Sequence, residues 1–499
     1  MAASRITIIG AGVGGLSAAI DLAAHGLAVT VIEAAATPGG KLREVTVGGR
    51  GLDAGPSVLT LRGIFDELFA VAGTTLDSQL RLSRASLLAR HYWDREQQLD
   101  LYADTRRSAA AIGDFAGAAS AREFLAFSRQ ARQVFEALER SFMRAQRPGV
   151  LGLSRAILRQ NPRGLLALQP FTSLWSALSA RFSDPRLRQL FARYATYCGS
   201  SPLAAPATLM LVAHAEASGV WLVDGGLYGL ARALTAAARR QGVQFQFGRR
   251  ACALQRDAVG FSVSLDNGDS LRSDAVVFNG DIGALQAGLL GALSRRAVAA
   301  AVPPRMRSLS AITWNLLATA GGVPLAHHTV FFSRDYVREF QSLQSGHMAP
   351  ADPTVYVCAQ DRSAAGVHPA GAEPLFFLIN APARGETQPM TPEELQRCEQ
   401  GMWAQLSRCG LRIESGGPEP WVTTPTRFAQ MFPATDGALY GSATHGWRAS
   451  FTRPPARTRL PGLYLAGGSV HPGPGLPMAA LSGRLAAAAL LEDLTSGIR

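Results

Sequence analysis

Residues 5–33, RITIIGAGVGGLSAAIDLAAHGLAVTVIE, constrain the fold more than any other stretch of the chain. Ile6, Ile8 and Ile9 form a β-branched apolar run suited to a buried parallel strand. Gly10, Gly12 and Gly15 follow in the spacing G-x-G-x-x-G, with Gly14 inside it. The first glycine permits a tight turn, the second lets a pyrophosphate approach the backbone, and the third lets the next helix lie close on the strand. That helix is expected from Leu16 to about His25, with Gly26 as its C-cap. Ala28 to Ile32 reads as a second strand. Glu33 follows it, where a carboxylate can accept both ribose hydroxyls of an adenosine. Strand, turn, helix, strand and acid in this order point to dinucleotide binding. The bland alternative is a glycine-rich turn that binds nothing.

At 499 residues the chain is too long for one ordinary core, so two domains are expected. It is 47% hydrophobic and 17% charged, a globular composition. Cys198, Cys252, Cys358, Cys398 and Cys409 are scattered without a C-x-x-C, which suits a reducing compartment and thiols used as small core residues. The apolar run after Arg5 is broken by turn glycines and reads as a strand, not a secretion signal. No segment offers about 18 uninterrupted apolar residues; the nearest, residues 202–223, holds two prolines, His214 and Glu216. A bilayer span is therefore not expected. The formal charge is +12, and every basic side chain but Lys41 is an arginine. Such a balance suits nucleic acid or an anionic membrane surface. No helix-turn-helix, zinc-finger or RNP-like pattern is present, so the membrane is the expected partner and nucleic acid is not. The histidines show no metal-ligand spacing, and no metal is expected.

After Glu33 a turn at Pro38, Gly39 and Gly40 is followed by Lys41 and Arg43, where cations can meet a pyrophosphate. Residues 50–57, RGLDAGPS, read as a strand entering a tight loop that brings the backbone of Gly55, Pro56 and Ser57 against a flat ring. From Gly63 to about Ser218 helical periodicity dominates. Phe124, Phe127, Ala131, Phe135, Leu138 and Phe142 share one helical face. Between Arg140 and Ser183 lie seven arginines and no acid, interleaved with leucines and aromatics. This fits an interfacial segment, with Arg144, Arg147, Arg155 and Arg159 facing anionic lipid. It also fits a helical cap that packs on its own domain. His214 and Glu216 are expected on one strand face or one side of a loop.

Residues 220–281 return to α/β pattern. A Gly225-Gly226 turn opens a helix to Arg240, strands follow at residues 244–247 and 251–256, and Asn267-Gly268 signals a hairpin. Residues 274–279, DAVVFN, read as a buried strand able to rejoin the N-terminal sheet. Residues 300–450 mix strands and helices. At the C-terminus, GLYLAGGSVHPGPGLPMAALSG holds a strand, then Gly467, Gly468, Gly473 and Gly475, then Pro477 at the favoured first helical position. The helix would aim the amides of Met478 and Ala479 at whatever fills that loop. Two glycine loops at opposite ends of one chain, each feeding a helix, indicate FAD more than NAD.

Residues 8–43, the GLDAGPSVLT loop, the Gly225-Gly226 helix and the C-terminal run together resemble the phytoene-desaturase family of FAD-dependent carotenoid enzymes. GGSVHPGPGLPMAALSG is most similar to the 1-hydroxycarotenoid 3,4-desaturase branch. The resemblance is strong at the two ends and around residue 225, and looser between them. It implies an α/β fold: a Rossmann-like FAD-binding domain of the two-dinucleotide-binding type, a mixed-sheet substrate domain and a helical membrane-facing insertion. The implied division is 1–70, 220–285 and 455–499 for FAD, 71–219 for the insertion and 286–454 for substrate.

FAD is then held by Gly10, Gly12, Gly14 and Gly15, with Glu33 on the ribose, Lys41 and Arg43 near the pyrophosphate, and Gly55, Pro56 and Ser57 by the isoalloxazine. The family also places the Gly467–Ala479 loop along ribityl and ring, and Ala251 where relatives often have a valine whose backbone meets adenine. Many flavin oxidoreductases carry Asp where this chain has Gly468. The implied reaction inserts a C=C bond into an acyclic, 1-hydroxylated carotenoid by hydride transfer to flavin N5 and proton loss, with oxygen or quinone as electron acceptor. No acid–base residue is demanded; His471 fits either a proton relay or a structural cap of its loop. Phytoene desaturase, carotenoid isomerase, and amine or protoporphyrinogen oxidase remain as alternatives. So lipophilic a substrate places the enzyme peripherally on the cytoplasmic side of the cell membrane.

Overall fold

The computed structural model describes residues 4–146, 149–160, 168–299, 302–346, 349–363, 371–414 and 417–496. Its first layer is a five-stranded sheet in the order Leu463–Leu465, Ala275–Phe278, Arg5–Ile9, Ala28–Glu33, Gln244–Phe247. Every pairing is parallel. The N-terminal strand is central, and Ile6 and Ile8 on one face and Thr7 and Ile9 on the other are all buried, the pattern of a parallel strand covered on both faces. Ile9 pairs with Ile32 on one side and Phe278 on the other. Gly10, Glu33 and Asn279 therefore emerge together at the carboxyl edge of the sheet, where open α/β sheets bind their ligands.

Helix Val13–Ala24 follows the glycine turn and packs on the C-terminal helix Leu476–Thr495. The approach needs glycine on both sides: a Cβ on Gly483 would stand 2.0 Å from the carbonyl oxygen of Gly14. An ion pair from Arg484 to Asp21, at 3.2 Å, also joins the two helices. The Asn267-Gly268 turn joins Phe261–Leu265 to Ser270–Ser273 in a three-stranded antiparallel sheet with Ala251–Arg256.

The second large sheet has seven strands, in the order Trp421–Thr423, Ser310–Ala318, Glu373–Ala381, Val355–Ala359, His328–Phe331, Leu87–Tyr92, Gln98–Tyr102. Its last two strands lie in the stretch read as helical. Leu99 and Leu101 alternate with polar residues and are buried, a period-two signal that the surrounding helical pattern obscured. Strand Leu87–Tyr92 joins the sheet by parallel pairing to His328–Phe331.

Beyond this edge, helix Thr105–Leu138 runs into a π-helical turn, Glu139–Met143. All six residues of its expected apolar face are buried. His214 and Glu216 lie on helix Leu211–Ser218, not on a strand or loop, because that segment packs along the long helix, His214 edge-on to Phe135 at 5.1 Å. Among the described residues no helix is long and apolar enough to cross a membrane. The membrane-facing character of the insertion belongs to the functional proposal below.

Candidate flavin site

A cavity of about 1020 Å³ opens at the carboxyl edge of the parallel sheet and reaches the seven-stranded sheet. Gly10, Gly12, Gly14 and Glu33 line one end of it. Lys41, Gly55, Pro56, Ser57 and Ala251 also line it, as do Gly467, Gly468, Pro477, Met478 and Ala479. Gly15 stands behind the turn, where a Cβ would lie 2.1 Å from the carbonyl oxygen of Gly10. Both ends of the chain thus contribute backbone to a single chamber.

Glu33 is fixed before any ligand enters. Its Oε2 accepts the amide of Ala11 at 2.7 Å and its Oε1 that of Ala35 at 2.8 Å, which leaves further lone pairs on a carboxylate held at the cavity wall. The amide of Arg249 bonds the Glu33 carbonyl at 2.9 Å and brings Ala251 to the same end. Asn279 was not singled out from the sequence, yet it organises the turn. Its Nδ2 donates to the carbonyl of Gly10 at 3.2 Å, and a Cβ on Gly14 would meet its Oδ1 at 2.6 Å. The only signal available was an amide side chain ending the DAVVFN strand.

Lys41 reaches into the cavity, donates to the carbonyl of Leu439 and sits 5.1 Å from the Phe432 ring centre. Burial lowers its pKa, and the charge of Asp281 partly opposes that shift. One oxygen of Asp281 caps the following helix through the amide of Gly283 at 2.9 Å; the other, Oδ2, is buried without a hydrogen-bond partner. An orphaned carboxylate oxygen calls for a donor, and the hydroxyls of a ribityl chain are donors of the right kind. The site therefore fits FAD. In the C-terminal loop the amide of Ala479 already closes the first helical turn on Gly475 at 2.8 Å. Pro477 has no N–H, so Leu476 and Met478, both on the cavity wall, are left to face a ligand.

Other expected residues lie elsewhere. Arg43 is not on the cavity wall: it donates to Thr423 Oγ1 at 3.0 Å and lies 5.8 Å from the Phe428 ring centre, because the strand after the turn docks on the substrate sheet. Burial lowers its pKa to about 10. His471 is also off the wall. Its Nε2 donates to the carbonyls of Phe142 and Ala145 at 3.0 and 2.9 Å, so it ties the glycine loop to the π-helical turn as a structural cap. Burial lowers its pKa as well. Arg144 is not free for lipid, since it forms a two-point pair with Glu67 at 3.0 and 2.9 Å. Arg155 and Arg159 are exposed on helix Val150–Gln160, and Arg147 lies outside the described residues.

A parallel sheet fed by one glycine loop at each end of the chain, with a chamber between them that presents an orphaned carboxylate oxygen, marks an FAD-dependent oxidoreductase. The chain belongs to the flavin-containing amine oxidoreductases, whose family model matches residues 13–491. It is 51% identical to the hydroxyneurosporene desaturase of Rubrivivax gelatinosus over 99% of this chain and 94% of that one. To the hydroxyneurosporene desaturase of Cereibacter sphaeroides it is 44% identical over 99% of both. A putrescine oxidase structure shares the fold with a TM-score of 0.60 at 14% identity, covering 98% of this chain and 99% of that one.

Proposed function

We propose that this chain is an FAD-dependent desaturase that introduces the 3,4 double bond into an acyclic, 1-hydroxylated carotenoid. The observation that carries the reading is one continuous cavity with glycine loops at one end and apolar walls beyond them. Those walls include Leu138, Phe142, Leu153, Leu209 and Val212 from the helices, and Phe376 and Leu378 from the seven-stranded sheet. Full-length similarity to two hydroxyneurosporene desaturases supports the same substrate class.

Bound FAD supplies the two-electron acceptor for a hydride. The chain's own residues hold and orient. A C–H bond beside a polyene is already weak toward hydride loss, because the resulting charge delocalises over the conjugated chain. The cation becomes a C=C bond when the neighbouring carbon releases a proton, so one hydride and one proton leave for each double bond formed. What remains for the apolar walls is to press the right carbon pair against the ring and to keep water from adding to the cation. Oxygen or a quinone would be the final electron acceptor.

Substrate supply favours a membrane. At about 0.8 kcal/mol per buried CH₂, a forty-carbon chain gains roughly 20–30 kcal/mol on leaving water. It must be drawn directly from lipid. Helix Val150–Gln160 supports this docking role. Leu153 faces the cavity, while Leu158 is 53% exposed beside exposed Arg155 and Arg159, and Phe171 is 81% exposed. Apolar side chains facing outward among cations suit an interfacial surface, and we assign it to the cytoplasmic face of the cell membrane.

The test is incubation of the FAD-loaded protein in liposomes with 1-hydroxyneurosporene, followed by chromatography and mass analysis. A product lighter by two hydrogens is expected. A rearranged product of unchanged mass would make the chain an isomerase, and recovery of intact substrate would refute the reading.

A further inference from the structure

Arg193, on the 3₁₀ turn Arg193–Cys198, lines the cavity yet is only half paired. Its Nη1 donates to the Tyr197 hydroxyl at 2.8 Å. Its Nε and Nη2 are buried and have no hydrogen-bond partner. Glu216 balances the charge from helix Leu211–Ser218, but its Oε1 stands 3.8 Å from Nη2, beyond hydrogen-bond reach. That oxygen accepts the Tyr197 hydroxyl at 2.8 Å, and the other accepts Tyr194. The guanidinium lies 5.3 and 5.2 Å from the ring centres of Tyr194 and Tyr197, which hold it in place. Charge is compensated here while two strong donors stay idle, an arrangement that disfavours the empty site and rewards a ligand oxygen.

A second polar group lines the same cavity. Tyr356 meets Ser57 Oγ at 2.7 Å and His328 Nδ1 at 2.8 Å, and His328 Nε2 is also buried without a partner. Burial first, then the neighbouring His327 and Arg193, hold His328 well below the usual imidazole value, so it stays neutral. Arg193, Tyr197 and Tyr356 line the same cavity, and Tyr356 bonds the Gly55–Ser57 loop through Ser57.

An alcohol on C1 is separated from C3 by a single carbon. Holding its oxygen fixes the C3–C4 pair within a few bonds, and no other polar atom of an acyclic polyene can do so. A hydroxyl accepts two hydrogen bonds and donates one. The unpaired N–H groups of Arg193 can supply the first kind, and Glu216 retains lone pairs for the second.

We propose that Arg193, balanced by Glu216 and steadied by Tyr197, is the receptor for the C1 hydroxyl, selecting hydroxylated polyenes and setting which bond meets the flavin. The inference rests on the desaturase reading and adds a specificity-determining residue to it.

Wild type, Arg193→Met, Tyr197→Phe and the double variant Arg193→Met/Glu216→Gln are loaded with FAD and assayed in liposomes with 1-hydroxyneurosporene and with neurosporene. The readout is the ratio of kcat/KM for the two substrates on the same preparation, which loss of folded enzyme leaves unchanged. The double variant guards against a buried, unpaired Glu216 in the single one. Removing the arginine should lower the ratio by about 10- to 100-fold, the worth of hydrogen bonds to a charged donor. Tyr197→Phe should lower it less. Binding is read separately, from the change each carotenoid makes in the flavin absorption spectrum without turnover, and the same loss of preference is expected. Ratios unchanged in both arginine variants, or no preference in wild type, overturn the receptor. Failure of the desaturase reading is distinct: wild type then leaves the mass of both carotenoids unaltered.

Discussion

Gly483 does not line the flavin cavity, yet its replacement by alanine should loosen FAD. The new Cβ would stand 2.0 Å from the carbonyl oxygen of Gly14, 2.9 Å from its carbon and 3.0 Å from Ser17 Cβ. All three are backbone or short side-chain atoms that cannot swing aside. Restoring a contact of 3.4 Å requires the two helices to part by about 1.4 Å. Overpacking of this kind costs about 1–3 kcal/mol. The parting also moves Gly14 away from Gly467 and Ala479, whose atoms lie 2.9 and 3.0 Å from where a Gly14 Cβ would sit. If the strain is relieved when the apo chain lets its two ends separate, it falls on the flavin-bound state. FAD affinity then drops about 5- to 150-fold, at 1.4 kcal/mol per decade. Equilibrium dialysis of flavin measures this directly. Gly113→Ala serves as control, because its Cβ has ordinary contact with Ala121 Cβ at 3.6 Å within a helix, and it should leave FAD binding alone while stabilising the helix slightly. Undiminished FAD affinity in Gly483→Ala would refute the idea that the two chain ends clamp the cofactor through this contact.

Replacing both Arg155 and Arg159 with Gln should weaken flotation with anionic liposomes about 30-fold, at about 1 kcal/mol per surface cation, with flavin still bound; undiminished flotation would exclude docking through this helix. Glu339 sets a pH dependence of stability. Burial raises its carboxyl from an ordinary 4.5 to about 7, against hydrogen bonds from Ser333 and Thr354. The folded chain therefore holds this proton more tightly than the unfolded one. The stabilisation is full below about pH 4.5 and is lost as pH rises through 7, a change of roughly 3 kcal/mol. Glu339→Gln should flatten that part of the curve in urea unfolding, and an unchanged slope between about pH 5 and 7 would contradict the assignment.

Local pattern was enough to find the loops that line the glycine end of the cavity. Glycine spacing, β-branched runs and a terminal acid act on backbone within a few residues, so Gly10, Gly12, Glu33 and the Gly467–Ala479 loop could be read in order along the chain. The five-stranded sheet then joins the segments whose strands were legible one at a time. Pairing over long separations was decided only in three dimensions. Arg144 meets Glu67, Arg43 turns to Thr423, and His471 caps carbonyls more than three hundred residues before it, because each finds the nearest compensating group once the chain is packed. Strands Leu87–Tyr92 and Gln98–Tyr102 became part of the second sheet only through the edge offered by His328–Phe331. The idle donors of Arg193 have the same origin. A sequence shows that an arginine is present; burial, and a glutamate held just beyond hydrogen-bond reach, decide that it is left waiting for a ligand.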